Sequence, residues 1–251
     1  MRNTHVLHVS YNHHQGIVGM TARHQFVEEH AADVDDLVAK IKKVHLGPGR
    51  SRGVMMRGED SAAFIPTPGI FRPHVDSSQE YNMITEFLRR LPVYSSIDYR
   101  NLWLVMSLAQ HHGVPTRLLD WTRSPLVAAF FATEKPVSHD AAVWAVWGLD
   151  EDRTQPITMD PFSITKIEKI SPIVVTPRLE VQSGSFTAHP DGRDLRSDLA
   201  EGDCVLKVVI PGNRRRNFRL QLEFLGINRA SLFPDLDGLG AWLRWRGCGL
   251  P

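Results

Sequence analysis

The sequence predicts a single α+β domain, with a central sheet or sheets of short strands and helices before and after. Three observations carry that reading. Apolar residues recur at helical spacing over Asp33 to Val44 and again over 84–91 and 102–111, whereas 54–58, 141–147, 173–175 and 205–210 are apolar or β-branched runs of strand length. No internal repeat or linker interrupts the chain. Its 251 residues suffice to bury one sizeable core.

Residues 1–32 show no clear period and are read as a loosely ordered leader, the domain proper spanning 33–251. The leader's histidines lack carboxylates or cysteines at ligand spacing, so no metal is expected. Val34, Leu37, Val38, Ile41 and Val44 form the apolar stripe of a first helix, capped by Asp33 and ended by Gly47-Pro48-Gly49. Val54 to Gly58 is a short strand whose last residues place Arg57 at a tip, and Gly58 is read there as a hinge with no packing purpose. A long loop with Pro66, Pro68 and Pro73 follows.

Ile84, Phe87, Leu88 and Leu91 then mark an amphipathic helix stopped by Pro92, and Leu102 to His111 a second, ended by Pro115. Thr116 to Trp121 is a short extended piece or a tight turn. Ser124 caps and Pro125 begins a helix through Leu126 to Thr133, which is apolar all round and therefore buried. Ala141 to Trp147 is a buried strand, Phe162 to Lys169 a short helix, Ile173 to Val175 a strand, and Val205 to Ile210 another, closed by Pro211-Gly212. The tail is helical, with an apolar stripe of Phe218, Leu222, Leu225 and Ile227 and a last helix from Asp235 to Trp245.

Composition narrows the function classes. A hydrophobic fraction of 42% with 23% charged residues is that of an ordinary soluble protein. The net charge of +1 means that any nucleic-acid contact must come from a local patch. Only Cys204 and Cys248 are present, which fits a reducing compartment. Neither a signal-peptide core nor a run long enough to cross a bilayer is visible, so a cytoplasmic protein without a membrane partner is expected.

No P-loop, GxGxxG, HExxH or GxSxG motif occurs. Instead, three polar clusters sit at the ends of short elements: Arg57-Gly58-Glu59, Gln110 to Thr122, and Arg178 to Phe186. Converging on one cleft, they would make a site. The densest stretch is QHHGVPTRLLDWTRSPLVAAFFA, residues 110–132.

Together with Met56-Arg57-Gly58-Glu59, Arg178-x-x-x-Gln182-Ser183-Gly184-x-Phe186 and Leu232-Phe233-Pro234-Asp235-Leu236-Asp237-Gly238-Leu239, that stretch resembles the FRG domain of bacterial and phage proteins over about residues 33–245. Met56 replaces the aromatic residue that opens the family's tripeptide. The resemblance implies an arrangement similar to ADP-ribosyltransferases, in which strand-borne motifs hold NAD, and some relatives look like toxins that modify nucleic-acid bases. It thus implies NAD as substrate and a nucleic acid as acceptor, with DNA favoured over RNA; an antitoxin protein is a candidate partner whose existence the sequence does not reveal.

Cleavage of the nicotinamide–ribose bond passes through an oxocarbenium-like state, which needs an acceptor group near the ribose and cationic forks for the pyrophosphate. On that chemistry Arg57, His112, Asp120 and Gln182 are the catalytic candidates. Arg57, Thr116, Arg117, Thr122 and Arg178 are the candidates for holding NAD, and His111 is the alternative to His112. Arg214, Arg215 and Arg216 form the best local patch for phosphates, or else a solvated helix face. Glu59 and Glu180 are alternative acids. Arg117 and Asp120 have a structural competitor, a buried ion pair fixing the turn, and Trp121 is more readily core than a stacking surface. The competing function is a non-catalytic module that binds a nucleic acid or a protein in the same cleft.

Overall fold

The computed structural model describes residues 25–45, 53–95, 98, 100–148, 160–170, 181–182, 184–199 and 203–248. Seven strands form one sheet: β1 (Gln25–His30), β2 (Val54–Glu59), β3 (Leu118–Thr122), β4 (Ala141–Trp147), β5 (Glu168–Ile170), β6 (Gly184–Ala188) and β7 (Cys204–Ile210). Their spatial order is β1-β7-β4-β2-β3-β6-β5. Every pairing is antiparallel except that of β1 with β7.

β4 sits near the middle, paired on both sides, and all seven of its residues are buried. Its side chains alternate between two cores, as the two-residue period of a strand requires. Val143, Ala145 and Trp147 join one core, whereas Ala142, Trp144 and Val146 join the other. With both faces covered, the strand shows no polar alternation and reads as a plain apolar run.

Three helices supply most of the first core, α1 (Val34–His45), α4 (Pro125–Thr133) and α5 (Arg215–Phe224), with Leu232 and Phe233 joining them. α1 starts as the sequence predicts, with Asp33 Oδ1 accepting the Asp36 N–H at 2.8 Å. Ser124 Oγ likewise accepts the Val127 N–H at the start of α4. α2 (Glu80–Arg90) and α3 (Leu102–His111) build a third apolar cluster against Leu118, Phe186 and Ala188. Two further helices, α6 (Arg229–Leu232) and α7 (Leu236–Gly247), end the described chain. No helix among the described residues is long and apolar enough to cross a membrane.

The α+β expectation holds, but several elements differ in detail. α3 ends at His111 as expected, but Gly113 and not Pro115 makes the stop: Gly113 adopts φ 88°, and the N–H groups of Gly113 and Val114 close back on the carbonyls of Gln110 and Ala109. Phe162 to Lys169 is not a helix. Asp160 Oδ1 accepts the Phe162 N–H to hold a 3₁₀ turn at Pro161–Ser163, and Glu168–Ile170 is drawn out into β5 by pairing with β6. Thr116 to Trp121 takes its extended alternative, largely as β3. The leader reading fails for 25–30, which is β1; an edge strand with Glu28, Glu29 and His30 gives a weak apolar signal. Residues 1–24, the Gly47-Pro48-Gly49 stop and the 173–175 strand lie outside the described residues.

One buried histidine couples this sheet to pH. His189 Nε2 lies 2.9 Å from Thr187 Oγ1, which also accepts the indole N–H of Trp121. Burial pushes its pKa from 6.5 down to about 4; Asp198 opposes the shift, and the Arg57 charge adds to it. The unfolded chain therefore binds a proton between about pH 4 and 6.5 that the folded chain refuses, so stability falls as pH drops through that window, by about 3 kcal/mol in all. Thermal midpoints measured from pH 4 to 7 should show this slope in the natural protein and a shallower one in His189→Gln. Equal slopes would refute the assignment.

Candidate active site

The site is a parting of the sheet. β2 and β3 are joined at a single residue pair, Met56 opposite Thr122, and no ladder continues from there towards Glu59 and Leu118. The side chain of Arg57 bridges the gap. Its Nε donates to Glu59 Oε1 at 2.5 Å, its Nη1 donates to the Asp120 carbonyl at 2.8 Å, and Nη1 lies 4.0 Å from the Asp120 carboxylate. A guanidinium thus satisfies a strand carbonyl that the parted ladder leaves open.

Beside this bridge opens a cavity of about 320 Å³, lined among others by Arg57, Glu59, Ser107, His111, Asp120 and Gln182. Its volume lies at the lower end for a small-molecule site. The Arg57 and Glu59 side chains are 16% and 7% exposed, whereas that of Asp120 is 62% exposed. Glu59 is consequently the fixed partner of the arginine, and Asp120 is the carboxylate available to a ligand. Arg72 and Lys135 add cationic groups to the wall. Burial pushes the Asp60 carboxyl up, but the bond from Lys135 Nζ at 2.5 Å and the nearby Arg215 charge outweigh it, holding that group below its usual range.

Gly58 has a packing purpose after all. A Cβ there would lie 2.0 Å from the Ala128 carbonyl oxygen and 2.5 Å from the Ala132 nitrogen. The glycine lets α4 press directly on β2, so the helix backbone sets the position of Arg57 and Glu59 on either side of it.

Of the residues expected in the site, the structure brings together Arg57, Asp120, Thr122 and Gln182. Thr122 serves the fold, since its hydroxyl donates to the Gln182 carbonyl at 2.6 Å and accepts the Ser124 N–H. Gln182 Nε2 donates to the Leu232 carbonyl at 3.0 Å, tying the cleft to α6. Of the two histidines, His111 lines the cleft and His112 does not. Successive helical residues point about 100° apart, so one histidine of the pair faces the cleft, while His112 caps α3 on an exposed surface beside Phe87 and Leu91.

Thr116 and Arg117 do not line the cleft. Thr116 is buried, its hydroxyl bonded to Gln110 Oε1 and to the Leu118 N–H. Arg117 pairs with Glu80 and not with Asp120: Nε and Nη2 donate to Oε2 at 2.9 and 2.8 Å, its backbone N–H donates to Oε1, and the guanidinium covers the Phe162 ring. The Glu80 side chain is only 2% exposed. Arg117→Met should therefore cost roughly 3–5 kcal/mol in urea unfolding by stranding that carboxylate, and Glu80→Gln in the same chain should recover part of the loss. A loss below about 1 kcal/mol would show the pair to be dispensable.

Arg215 is also structural, being buried with its guanidinium on the carbonyls of Asp60, Lys135 and His139, whereas Arg214 and Arg216 are exposed. Trp121 is core and also walls the cleft. Arg178 lies outside the described residues.

Ser107 was not foreseen. It is 6% exposed, lines the cleft and has no hydrogen-bond partner for its hydroxyl among the described residues. Ser107, Gln110 and His111 stand at i, i+3 and i+4 on α3 and so share one face. The signal was a lone serine inside the apolar run Trp103 to Ala109. Glu80 gave no comparable signal, since its partner lies 37 residues away.

Residues 52–141 match the FRG domain model. The match covers β2, the parted pair, α3 and α4, and it ends before the segments around Gln182 and Leu232. No curated protein and no solved structure matches the chain.

Proposed function

Taking residues 52–141 as an FRG domain, we propose that the cleft binds NAD and transfers its ADP-ribosyl group to a nucleic-acid base, with DNA the favoured acceptor, and that the protein acts as a toxin. The observation that carries this reading is the parted sheet, with the Arg57 fork held in the gap and the Asp120 carboxylate exposed at its mouth.

The donor set fits the substrate. Arg57, Arg72 and Lys135 supply positive charge for a diphosphate, and the partnerless Ser107 hydroxyl offers a hydrogen bond to a ribose or amide. In the reaction the bond between ribose C1 and the nicotinamide nitrogen breaks, and its electron pair leaves with neutral nicotinamide. Asp120 stabilises the positive charge that develops on the ribose. A base nitrogen then bonds to C1, and His111, on the cleft wall, receives the proton that nitrogen sheds. Glu59 takes no proton in this scheme, because it is engaged in holding Arg57.

Purified protein incubated with NAD labelled in its adenylate phosphate should transfer label to DNA and release nicotinamide in equal amount. Nicotinamide release without labelling of any acceptor would make the protein a hydrolase. Absence of both, with no NAD binding by calorimetry, would favour a non-catalytic binding module and sink the transferase reading.

A further inference from the structure

A second, larger depression of about 860 Å³ adjoins the cleft, and Glu134 and Lys135 line both. Its walls are the C-terminal end of α4 with the turn after it, one side of α5, and Trp242 and Trp245 of α7. Six basic residues line it, Lys135, Arg215, Arg216, Arg219, Arg229 and Arg244, against two acidic ones, Glu134 and Glu223. In a chain of net charge +1 this is a strong local concentration.

Both carboxylates are already engaged. Glu223 accepts the Trp242 indole N–H, and Glu134 is paired with Arg229. Arg216 and Arg244 are exposed and pair with no carboxylate among the described residues. Three buried donors of lining residues, Arg215 Nε, Arg229 Nε and Trp245 Nε1, have no acceptor among the described residues. The indoles are partly exposed and backed by cations, Arg219 at 5.1 Å from the Trp245 ring and Arg246 at 4.9 Å from that of Trp242.

We infer that this groove binds single-stranded DNA and feeds one of its bases into the neighbouring cleft. The inference rests on the transferase reading for the fate of the base, though not for the binding itself. Cationic walls with partly exposed tryptophans match the two needs of a single strand, phosphate neutralisation and a stacking platform. A duplex offers phosphates but keeps its bases stacked, and chemistry on a base requires it out of the stack. Single-stranded RNA meets the same two needs, so its arm in the test decides the sugar.

The test uses the whole protein and fluorescein-labelled oligonucleotides of about 12 nucleotides, as single-stranded DNA, duplex DNA and single-stranded RNA. Fluorescence anisotropy should show single-stranded DNA bound at least tenfold tighter than duplex and at least as tightly as RNA, with quenching of tryptophan emission. The double variant Arg216→Glu, Arg244→Glu, both sites being exposed, should lower that affinity at least tenfold and leave the calorimetric affinity for NAD unchanged. Equal affinity for duplex, tighter binding of RNA, or an unaltered affinity in the double variant would overturn the groove assignment. DNA binding that behaves as expected in a protein that neither binds nor cleaves NAD would leave the groove standing and remove the transferase reading alone.

Discussion

Under the proposed reading, Arg57→Ala should lower ADP-ribosyl transfer at least about 100-fold, the scale seen when one preorganised donor is removed from a reacting centre. The guanidinium does two things at once, its Nε holding Glu59 and its Nη1 holding the Asp120 carbonyl. Alanine loses both and leaves the Glu59 carboxylate buried without its partner, at a cost of roughly 3–5 kcal/mol to the fold. Arg57→Lys separates the two consequences. A lysine keeps the charge, but its ammonium is a single point and cannot reproduce the planar fork. Its unfolding midpoint should stay closer to that of the natural protein while transfer remains at least tenfold reduced. Full activity in a folded Arg57→Lys protein would show that charge alone suffices, and the bridging geometry would lose its significance. Growth of bacteria expressing each variant gives the same ranking if the transfer is what harms them.

Gly58→Ala is the second large effect, and it acts on stability first. The added methyl would meet the carbonyl oxygen of Ala128 and the nitrogen of Ala132, both backbone atoms of α4. Neither can swing aside as a side chain does, so the helix must retreat from the strand. The expected loss is about 3 kcal/mol, at the upper end for overpacking. Its signature is that Ala128→Gly in the same chain brings no rescue, because the obstacle is the carbonyl and not the alanine methyl. A rescued double variant, or a midpoint within about 0.5 kcal/mol of the natural protein, would show that α4 can shift freely.

These two neighbours separate what is legible in a sequence from what is not. α3 and α4 were legible because the determinants are local: Ser124 and Pro125 start α4, and the apolar runs need burial. Arg57 stands out as a cation beside glycine closing an apolar run, although β2 continues through Glu59 and holds Arg57 within the ladder and not at a strand tip. The reason for that glycine was invisible, since α4 meets it across some 70 residues of chain. A similar separation hid Glu80, whose pairing with Arg117 turns a candidate for holding NAD into the buried ion pair that was its competitor, with a different carboxylate. Thr116, expected to hold NAD, is bonded to Gln110 away from the cleft, and Thr122 lines the cleft with its hydroxyl on the Gln182 carbonyl; composition cannot tell a hydroxyl that faces a ligand from one that fastens a turn. His111 over His112 was a matter of helical phase, fixed only once the packed face of α3 was known.

The parallel pairing of β1 with β7 has a consequence in time. Glu28 and Lys207, ion-paired across these strands, stand 179 residues apart. At about 5–20 residues per second a ribosome needs roughly 10–40 seconds between making one and making the other. Throughout that interval β1 has no strand to lie against, and from the synthesis of β4 onward the edge that β7 will cover is open. Gln182 is fastened later still, since the carbonyl that holds its amide belongs to Leu232. The cleft is thus assembled last from parts made first, and a nascent chain stays without a finished site until nearly all of the described sequence has left the ribosome.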